Sequence, residues 1–453
     1  MLIRRLTFLA VSIAAVNAGW ITAFGFYDFR IGPVHLAAHE LFKPVLYLCA
    51  AVLAAAVANS SVAVAARVDS LMERLPTLWL IVAVIILLYL PSLGIAFNNN
   101  DWTHRADVRA WNSISDLAHL FVWRQPDGFY RPLVFVSLWI DYRIFGDHEW
   151  GYHIQNILFH IANCLLWIRA SIRLGLDEGT ARWSGLLFAV AAVNCEPVIW
   201  PGARFDLAAA CFTLGALLFA IEWWFSHRAI FLIGMGACYA AALCSKESAY
   251  CLPLLVGLIL STPGIWKLPA DAIKNRVAPL AISVAITIAM LLLRWTLFHG
   301  MGGYPGEAGN SPHFHVRFST FSSFFTRALP VPLFALNATV MGSVAIIAIL
   351  FFGVGACGYV AFCGGPRRLK AAVLVAALLS ALPATNLVDW VGPLMGNTRY
   401  LYMSSLWIWL CISVAATGRA RKWLLLLAVA NVLATVHDYR NFTFFDIARL
   451  PPL

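Results

Sequence analysis

Apolar residues in this chain come in blocks of about 17 to 24, separated by short charged punctuation. The run "LWLIVAVIILLYLPSLG" (78–94) is one such block. At 1.5 Å rise, about 20 apolar residues cross a 30 Å hydrocarbon layer. A large soluble core is a poor alternative. The 453 residues are 61% hydrophobic and only 12% charged, against about 25% charged in a soluble domain. Too few charges remain to cover such a core. The pattern predicts an all-α polytopic membrane protein with about thirteen transmembrane helices. They fall near 7–25, 44–64, 77–97, 152–169, 182–195, 206–225, 229–244, 248–262, 278–298, 339–362, 371–387, 400–416 and 423–437.

Loop charge predicts orientation, because short basic loops stay in the cytoplasm. With the N-terminus inside, Arg4, Arg5, Arg67, Arg74, Arg169, Arg173, Arg182, Lys267, Lys274 and Arg276 all fall inside, as do "GGPRRLK" (364–370) and "TGRARK" (417–422). The two long aromatic loops, 98–151 and 299–338, then face outward, with a short outer tail at 438–453. The basic start and apolar run at the N-terminus also suit a signal peptide. A first membrane helix is preferred because further spans follow. Residues 1–76 read as an appended two-helix hairpin and 77–437 as the main membrane domain.

The net charge of +10 is scattered, without the basic face that nucleic acid requires. The ten cysteines are also scattered, with no C-x-x-C pair, so neither a zinc site nor a disulfide framework is read. Membrane lipids are the expected surroundings.

Polar residues where hydrophobic blocks end carry the functional signal. "FNNNDW" (97–102) puts Asp101 at an outer span end, where a carboxylate can serve as a base. The same residue types also cap helices cheaply. "GFYRPLVFVSLWIDYRIFG" (128–146) is too polar to span and suits an interfacial helix. In "GYHIQNILFHIAN" (151–163), His153, Asn156, His160 and Asn163 recur at spacings of three, four and three. They fill an arc of about 80°. Such a stripe must face the bundle interior, where interhelical hydrogen bonding is favoured over metal ligation. "NCEPVIWPGARFDL" (194–207) gathers Glu196, Arg204 and Asp206, with a Glu196–Arg204 bridge as the simple reading. "CSKES" (244–248) sets Lys246 beside Glu247, costly at that depth unless paired or ligand-bound. Arg399 and Tyr400 follow in "GNTRYLYMSS" (396–405). Cations from separate loops suit a phosphate, and an acid beside them suits transfer chemistry. His313 and His315 read as ordinary loop residues, and Trp102, Trp111 and Trp123 as loop anchors or sugar-stacking rings.

Together these motifs resemble the GT-C class of integral-membrane glycosyltransferases. The likeness is nearest to the membrane portion of the O-mannosyltransferase-like proteins that carry tetratricopeptide repeats. It rests on "ND" (100–101), "YRPLVFVSLWIDYRIFG" (130–146), "GYHIQNILFHIAN" (151–163), "EPVIWPGARFDL" (196–207), "SKES" (245–248), "LPATNL" (382–387) and "RYLYMSS" (399–405), in order and at matching spacing. It implies a GT-C-like bundle whose long first extracytoplasmic loop contains interfacial helices. It further implies transfer of a sugar from a polyprenyl-phosphate donor to an acceptor hydroxyl, with inversion, on the outer face. Asp101 would be the catalytic base and Glu196 an assisting acid. Lys246 and Arg399, with Arg204 and Tyr400, would hold the carrier phosphate.

No metal ligands are assigned; a divalent cation is possible, since metal use varies within the class. The chain departs from the pattern where a single acid replaces a pair at Asn100-Asp101. It departs again at Asn194, often His, and at Thr398, often Glu, which weakens a metal site. Two rivals stay open, a lipid or saccharide transporter and an inactive relative acting as scaffold. The acceptor is a protein, lipid or glycan, and a bacterial inner membrane is the expected location.

Overall fold

The computed structural model describes residues 27–31, 34–38, 70, 72–74, 76–98, 100–122, 129–269, 277–299, 364–384 and 398–442. The spans expected at 7–25, 44–64 and 339–362 lie outside these residues. So do most of the second long loop, Trp123, His313, His315 and most of the tail. Tyr27–Ile31 (β1) and Val34–Ala38 (β2) pair antiparallel. This hairpin falls between the first two expected spans and was not legible in the hydrophobic pattern.

All other regular structure among the described residues is helical. Helix α1 (Pro76–Tyr89) runs on through a 3-10 turn to Gly94. Pro91 lacks an N–H and ends the α-helical bonding, and the Ser92 hydroxyl donates to the Tyr89 carbonyl at 2.7 Å. Two loop helices follow, α2 (Asn100–Ala110) and α3 (Ile114–His119). A Ser113–Asp116 capping box starts α3. Next come α4 (Pro132–Phe145), the 25-residue α5 (Glu149–Arg173) and α6 (Glu178–Val190). The "CEPVIWPGA" segment breaks into α7 (Cys195–Ile199) and a 3-10 turn at Pro201–Ala203. The bundle continues through α8 (Arg204–Ser226), α9 (Ala229–Leu243), α10 (Leu252–Ser261) and α11 (Val277–Phe298). It closes with α12 (Arg367–Ala381), α13 (Tyr402–Ala415) and α14 (Lys422–Phe442).

Among the described residues, three helical segments are long and apolar enough to cross a membrane: Pro76–Gly94, Pro201–Ser226 and Val277–Phe298. The thirteen expected spans are therefore not all delivered as full crossings. The reason is visible at 182–195 and 400–416. There α6 has 13 residues and α13 has 14, roughly 20 Å of helix each. The remaining apolar residues belong to turns packed inside the bundle.

The main core joins α5, α6, α8 and α13 around Trp167, Trp183, Trp224, Trp407 and Trp409, all fully buried. A second, smaller cluster sets Phe97 and Val108 against Phe135, Leu138, Tyr152 and Phe205. It fastens α2 and α4 to the end of the bundle where α5 and α8 begin.

Candidate functional site

The polar stripe on α5 faces inward, as its period requires. His153, Asn156, His160 and Asn163 are fully buried. His153 Nε2 meets the Ile95 carbonyl at 3.0 Å. Asn156 donates to the carbonyls of Trp200 (2.9 Å) and Pro197 (3.3 Å). His160 contacts the Tyr402 hydroxyl at 2.7 Å and the Ala189 carbonyl at 3.0 Å. Asn163 donates to the Leu207 carbonyl and to Tyr402, both at 3.0 Å. One stripe thereby ties the end of α1, the 197–200 segment, α6, α8 and α13 together. Interhelical hydrogen bonding, the reading favoured over metal ligation, is what these contacts show.

At the same end of the bundle the ionic groups of five motifs meet. Glu196 does not bridge to Arg204. It pairs with the Arg399 guanidinium and accepts from the Arg399 amide and the Thr398 hydroxyl, both at 3.0 Å. Arg204 is 0% exposed and pairs instead with the buried Asp141 of α4 at 2.5 Å. It also donates to Asn156 Oδ1 (2.9 Å) and to the Tyr152 carbonyl (2.8 Å). Its expected place at a donor phosphate is taken up by these internal partners. The reason is spatial: α4 lies across the start of α8, which sequence spacing does not reveal.

Lys246 Nζ contacts both oxygens of Asp206 at 2.6 Å. Its neighbour Glu247 accepts from Arg131 (2.7 Å) and Arg294 (3.0 Å). A backbone bond from Leu133 to the Cys244 carbonyl fixes the start of α4 against this turn. Tyr400 sits between the groups, its ring 4.8 Å from Lys246 Nζ and 4.8 Å from the Arg399 guanidinium. Among the described residues, four cations (Arg131, Lys246, Arg294, Arg399) thus surround three carboxylates (Glu196, Asp206, Glu247). Arg399 stays 17% exposed and Glu247 23%, so the cluster is open on one side.

Asp101 belongs to the same end but not to the ion pairs. It lies in the first turn of α2 and is 4% exposed. Its Oδ2 accepts from the Asn98 amide at 3.0 Å, which is the capping role read from the sequence. The Gly202 amide and the Trp200 indole are further donors to the carboxylate. The carboxylate lines a cleft with Phe97, His104, Arg105, Tyr152 and Pro201. Burial pushes its pKa up to about 7. The Asn98 and Gly202 amides, the Trp200 indole and Arg204 all pull it back toward the ordinary 3.8. A general base needs a pKa of this kind.

Trp200 links the two parts. The Arg399 guanidinium lies 5.0 Å from its ring centre, and its indole nitrogen is directed toward Asp101. Gly202 makes the approach possible. A β-carbon there would lie 2.9 Å from both Asp101 Oδ1 and the Trp200 indole nitrogen.

The sequence reading did not single out Trp200 or His104. Arg131 and Asp141 are visible in it only as charges that make 128–146 too polar to span, since their partners are 116 and 63 residues away. His104 could have been found as the same-face neighbour of Asp101, three residues on. No three His, Cys, Asp or Glu side chains converge as metal ligands among the described residues. The carboxylates face Arg and Lys instead. This donor set does not fit a divalent cation.

Fold and site describe a helical membrane protein with an ionic cluster and a separate buried carboxylate at one end. The chain is similar to membrane protein O-mannosyl-transferases, as its motifs implied. It is 32% identical over 123 residues to "Protein O-mannosyl-transferase TMTC2" of Mus musculus, 26% of this chain and 15% of that protein. It is 30% identical over 197 residues to "Protein O-mannosyl-transferase Tmtc1" of Drosophila melanogaster, 40% of this chain and 22% of that protein. The human TMTC2 match is 29% over 194 residues, 40% and 23% of the two chains. The matched segments therefore span under a quarter of these relatives. All three are animal proteins, so the expected bacterial location draws no support from them. No protein-family profile matches the chain. Among solved structures the chain overlaps ArnT from Cupriavidus metallidurans bound to undecaprenyl phosphate. The TM-score is 0.35 at 15% identity, covering 82% of this chain and 80% of that one. An overlap so slight carries no argument about fold or ligand.

Proposed function

We propose that the protein is a multi-pass membrane glycosyltransferase that moves a sugar from a polyprenyl-phosphate carrier to an acceptor hydroxyl on the extracytoplasmic face. The observation that carries this reading is Asp101: a buried carboxylate outside the ion pairs, lining a cleft and joined through Trp200 to a cation-rich cluster.

In this reading the carrier's tail lies in lipid beside the bundle and its phosphate meets Lys246 and Arg399. Ammonium offers three donors, two of which face Asp206. The acceptor oxygen attacks the anomeric carbon from the face opposite the phosphate. Its proton passes to Asp101, the bond from that carbon to the phosphate oxygen breaks, and the carrier leaves as a phosphate monoester. The cations offset the charge that develops on the leaving group. Glu196 holds the Arg399 side chain and backbone in place; Arg204 fixes α4, α5 and α8 and touches no substrate. The likeness to protein O-mannosyl-transferases supports the reaction class, and hexose or pentose transfer is left to assay.

The test is transfer of labelled sugar from a polyprenyl phosphate by the detergent-purified protein. Wild type should transfer and Asp101→Asn should not, with matching melting curves. Full activity in a stably folded Asp101→Asn protein would return Asp101 to helix capping, and absence of transfer in wild type would favour a transporter.

A further inference from the structure

The end of the bundle opposite the Asp101 cleft holds a smaller ionic group. Arg169 and Arg173 lie one turn apart at the close of α5, on one face of the helix. Both approach a single carboxylate, Glu222 of α8. Arg173 pairs with it at 2.5 Å, and its guanidinium lies 4.2 Å from the centre of the Phe225 ring. Arg169 stops at 3.7 Å, too far for a hydrogen bond, and is 60% exposed. Two cations thus share one acid. The neighbouring pairs, Arg182–Glu178 and Arg421–Asp177, join one cation to one acid each.

The helix itself sets the depth of this group. Arg204 and Glu222 stand near opposite ends of α8, about 27 Å apart along its axis at 1.5 Å per residue. That is close to the ~30 Å thickness of hydrocarbon in a bilayer. With its preceding turn, α8 is one of the segments long and apolar enough to cross a membrane. Glu222 therefore falls at the headgroup level of the far leaflet. Phe225 and, next along the chain, Ile230 and Ile233 of α9 are exposed, so apolar side chains face outward at this level.

We infer that Arg169 and Arg173, sharing Glu222, form a site for the phosphate of one anionic phospholipid in the leaflet opposite the Asp101 cleft. The site is independent of the transfer reaction.

The charges and their surroundings specify the ligand. The shared acid leaves one positive charge, which the phosphodiester of a lipid without a headgroup amine cancels. Choline or ethanolamine would bring a further cation beside two guanidinium groups. Guanidinium donors match phosphate oxygens in geometry. The α5 dipole by itself favours cations at this end, but it does not call for an aromatic ring against one of them. Phe225, Ile230 and Ile233 offer apolar surface to the lipid's glycerol and acyl chains. A water-borne anion would meet the charges and leave that surface uncovered.

The experiment titrates the detergent-purified full chain with phosphatidylglycerol or phosphatidylcholine of the same acyl chains, and counts retained lipids by native mass spectrometry. Phosphatidylglycerol should bind more tightly, by about 5-fold for each arginine engaged. Arg169→Gln should lose about that factor for phosphatidylglycerol and leave phosphatidylcholine unchanged. Arg169 is mostly exposed, so this variant should fold. Glu222→Gln, which removes the competing acid, should tighten phosphatidylglycerol. Arg421→Gln deletes the same charge at the same end and should change neither lipid. Inorganic phosphate at matching concentration should not displace the lipid. Equal binding of the two lipids, an unchanged affinity in Arg169→Gln, or an equal loss in Arg421→Gln would overturn the site. Displacement by inorganic phosphate would also overturn it, assigning the cations to a water-borne anion. Because no step reads sugar transfer, failure here leaves the transferase reading intact, and an inactive protein can still show the lipid preference.

Discussion

The two ends of the helical bundle use the same charged residue types in opposite ways. At one end Arg204–Asp141, Lys246–Asp206, Arg399–Glu196 and the Arg131–Glu247–Arg294 group are buried or nearly so. At the other end Arg421 reaches Asp177 at 3.3 Å, with Asp177 58% exposed, and Arg173 and Arg169 hold Glu222. The second set caps helices and meets water. The first lies mostly out of water, and a buried ion repays its desolvation only when pairing and hydrogen bonding are nearly complete. Arg204 shows such completeness. Asp101, at the same end, stands outside these ion pairs. Within one end, then, ion-paired charges hold the frame and a carboxylate held only by neutral donors faces the cleft.

The sharpest way to break this contrast is at Asp101. Asp101→Asn should lower sugar transfer by roughly 10² to 10⁴, the usual value of a general base, while leaving the melting temperature unchanged or higher. Arg204→Met should cost about 3–5 kcal/mol of stability, because it strands the buried Asp141 carboxylate. Denaturant unfolding reads that loss, and a cost below about 1 kcal/mol would mean that Arg204 is not structural. Lys246→Ala and Arg399→Ala should each weaken donor use by about 1.5–3 kcal/mol, the range for hydrogen bonds to charged groups. Donor KM unchanged in both would remove them from phosphate binding. At the opposite end Arg421→Ala should cost only about 0.2–1 kcal/mol. A cost as large as that of Arg204→Met would erase the distinction between the ends.

A pH experiment sharpens the same point. Transfer by wild type should rise with pH and level off above about 7, where Asp101 is ionised. Stability runs with two opposed signs. The folded pKa of Asp101 lies above its ordinary 3.8, so the folded state holds a proton that the unfolded chain releases, and stability falls from about pH 4 to about 7. The folded pKa of His104 lies below its ordinary 6.5, so stability rises from about pH 4 to about 6.5. In wild type the two slopes largely offset one another in this window. In Asp101→Asn only the rise remains, so the melting temperature of the variant should climb relative to wild type between pH 4 and 7. Parallel curves would mean that Asp101 titrates as an exposed carboxylate.

The sequence by itself determined that the chain is mainly helical and membrane-spanning, and that His153, Asn156, His160 and Asn163 face inward. These are local properties. Apolar run length and a 3.6-residue period act within one segment, so a segment can be read alone. It also determined that Asp101, Glu196, Lys246 and Arg399 gather at one end, because successive helices reverse direction and the motifs sit at alternate turns. Only the tertiary structure decided the pairings. Glu196 could be matched to Arg204 eight residues away, yet its partner is Arg399, 203 residues on. Only packing revealed that α6 and α13 stop short of full spans, that Gly202 lets Asp101 approach Trp200, and that burial presses the His104 pKa down. A charge selects its partner by distance and by the water excluded around it, and both are set by how helices far apart in sequence come to touch.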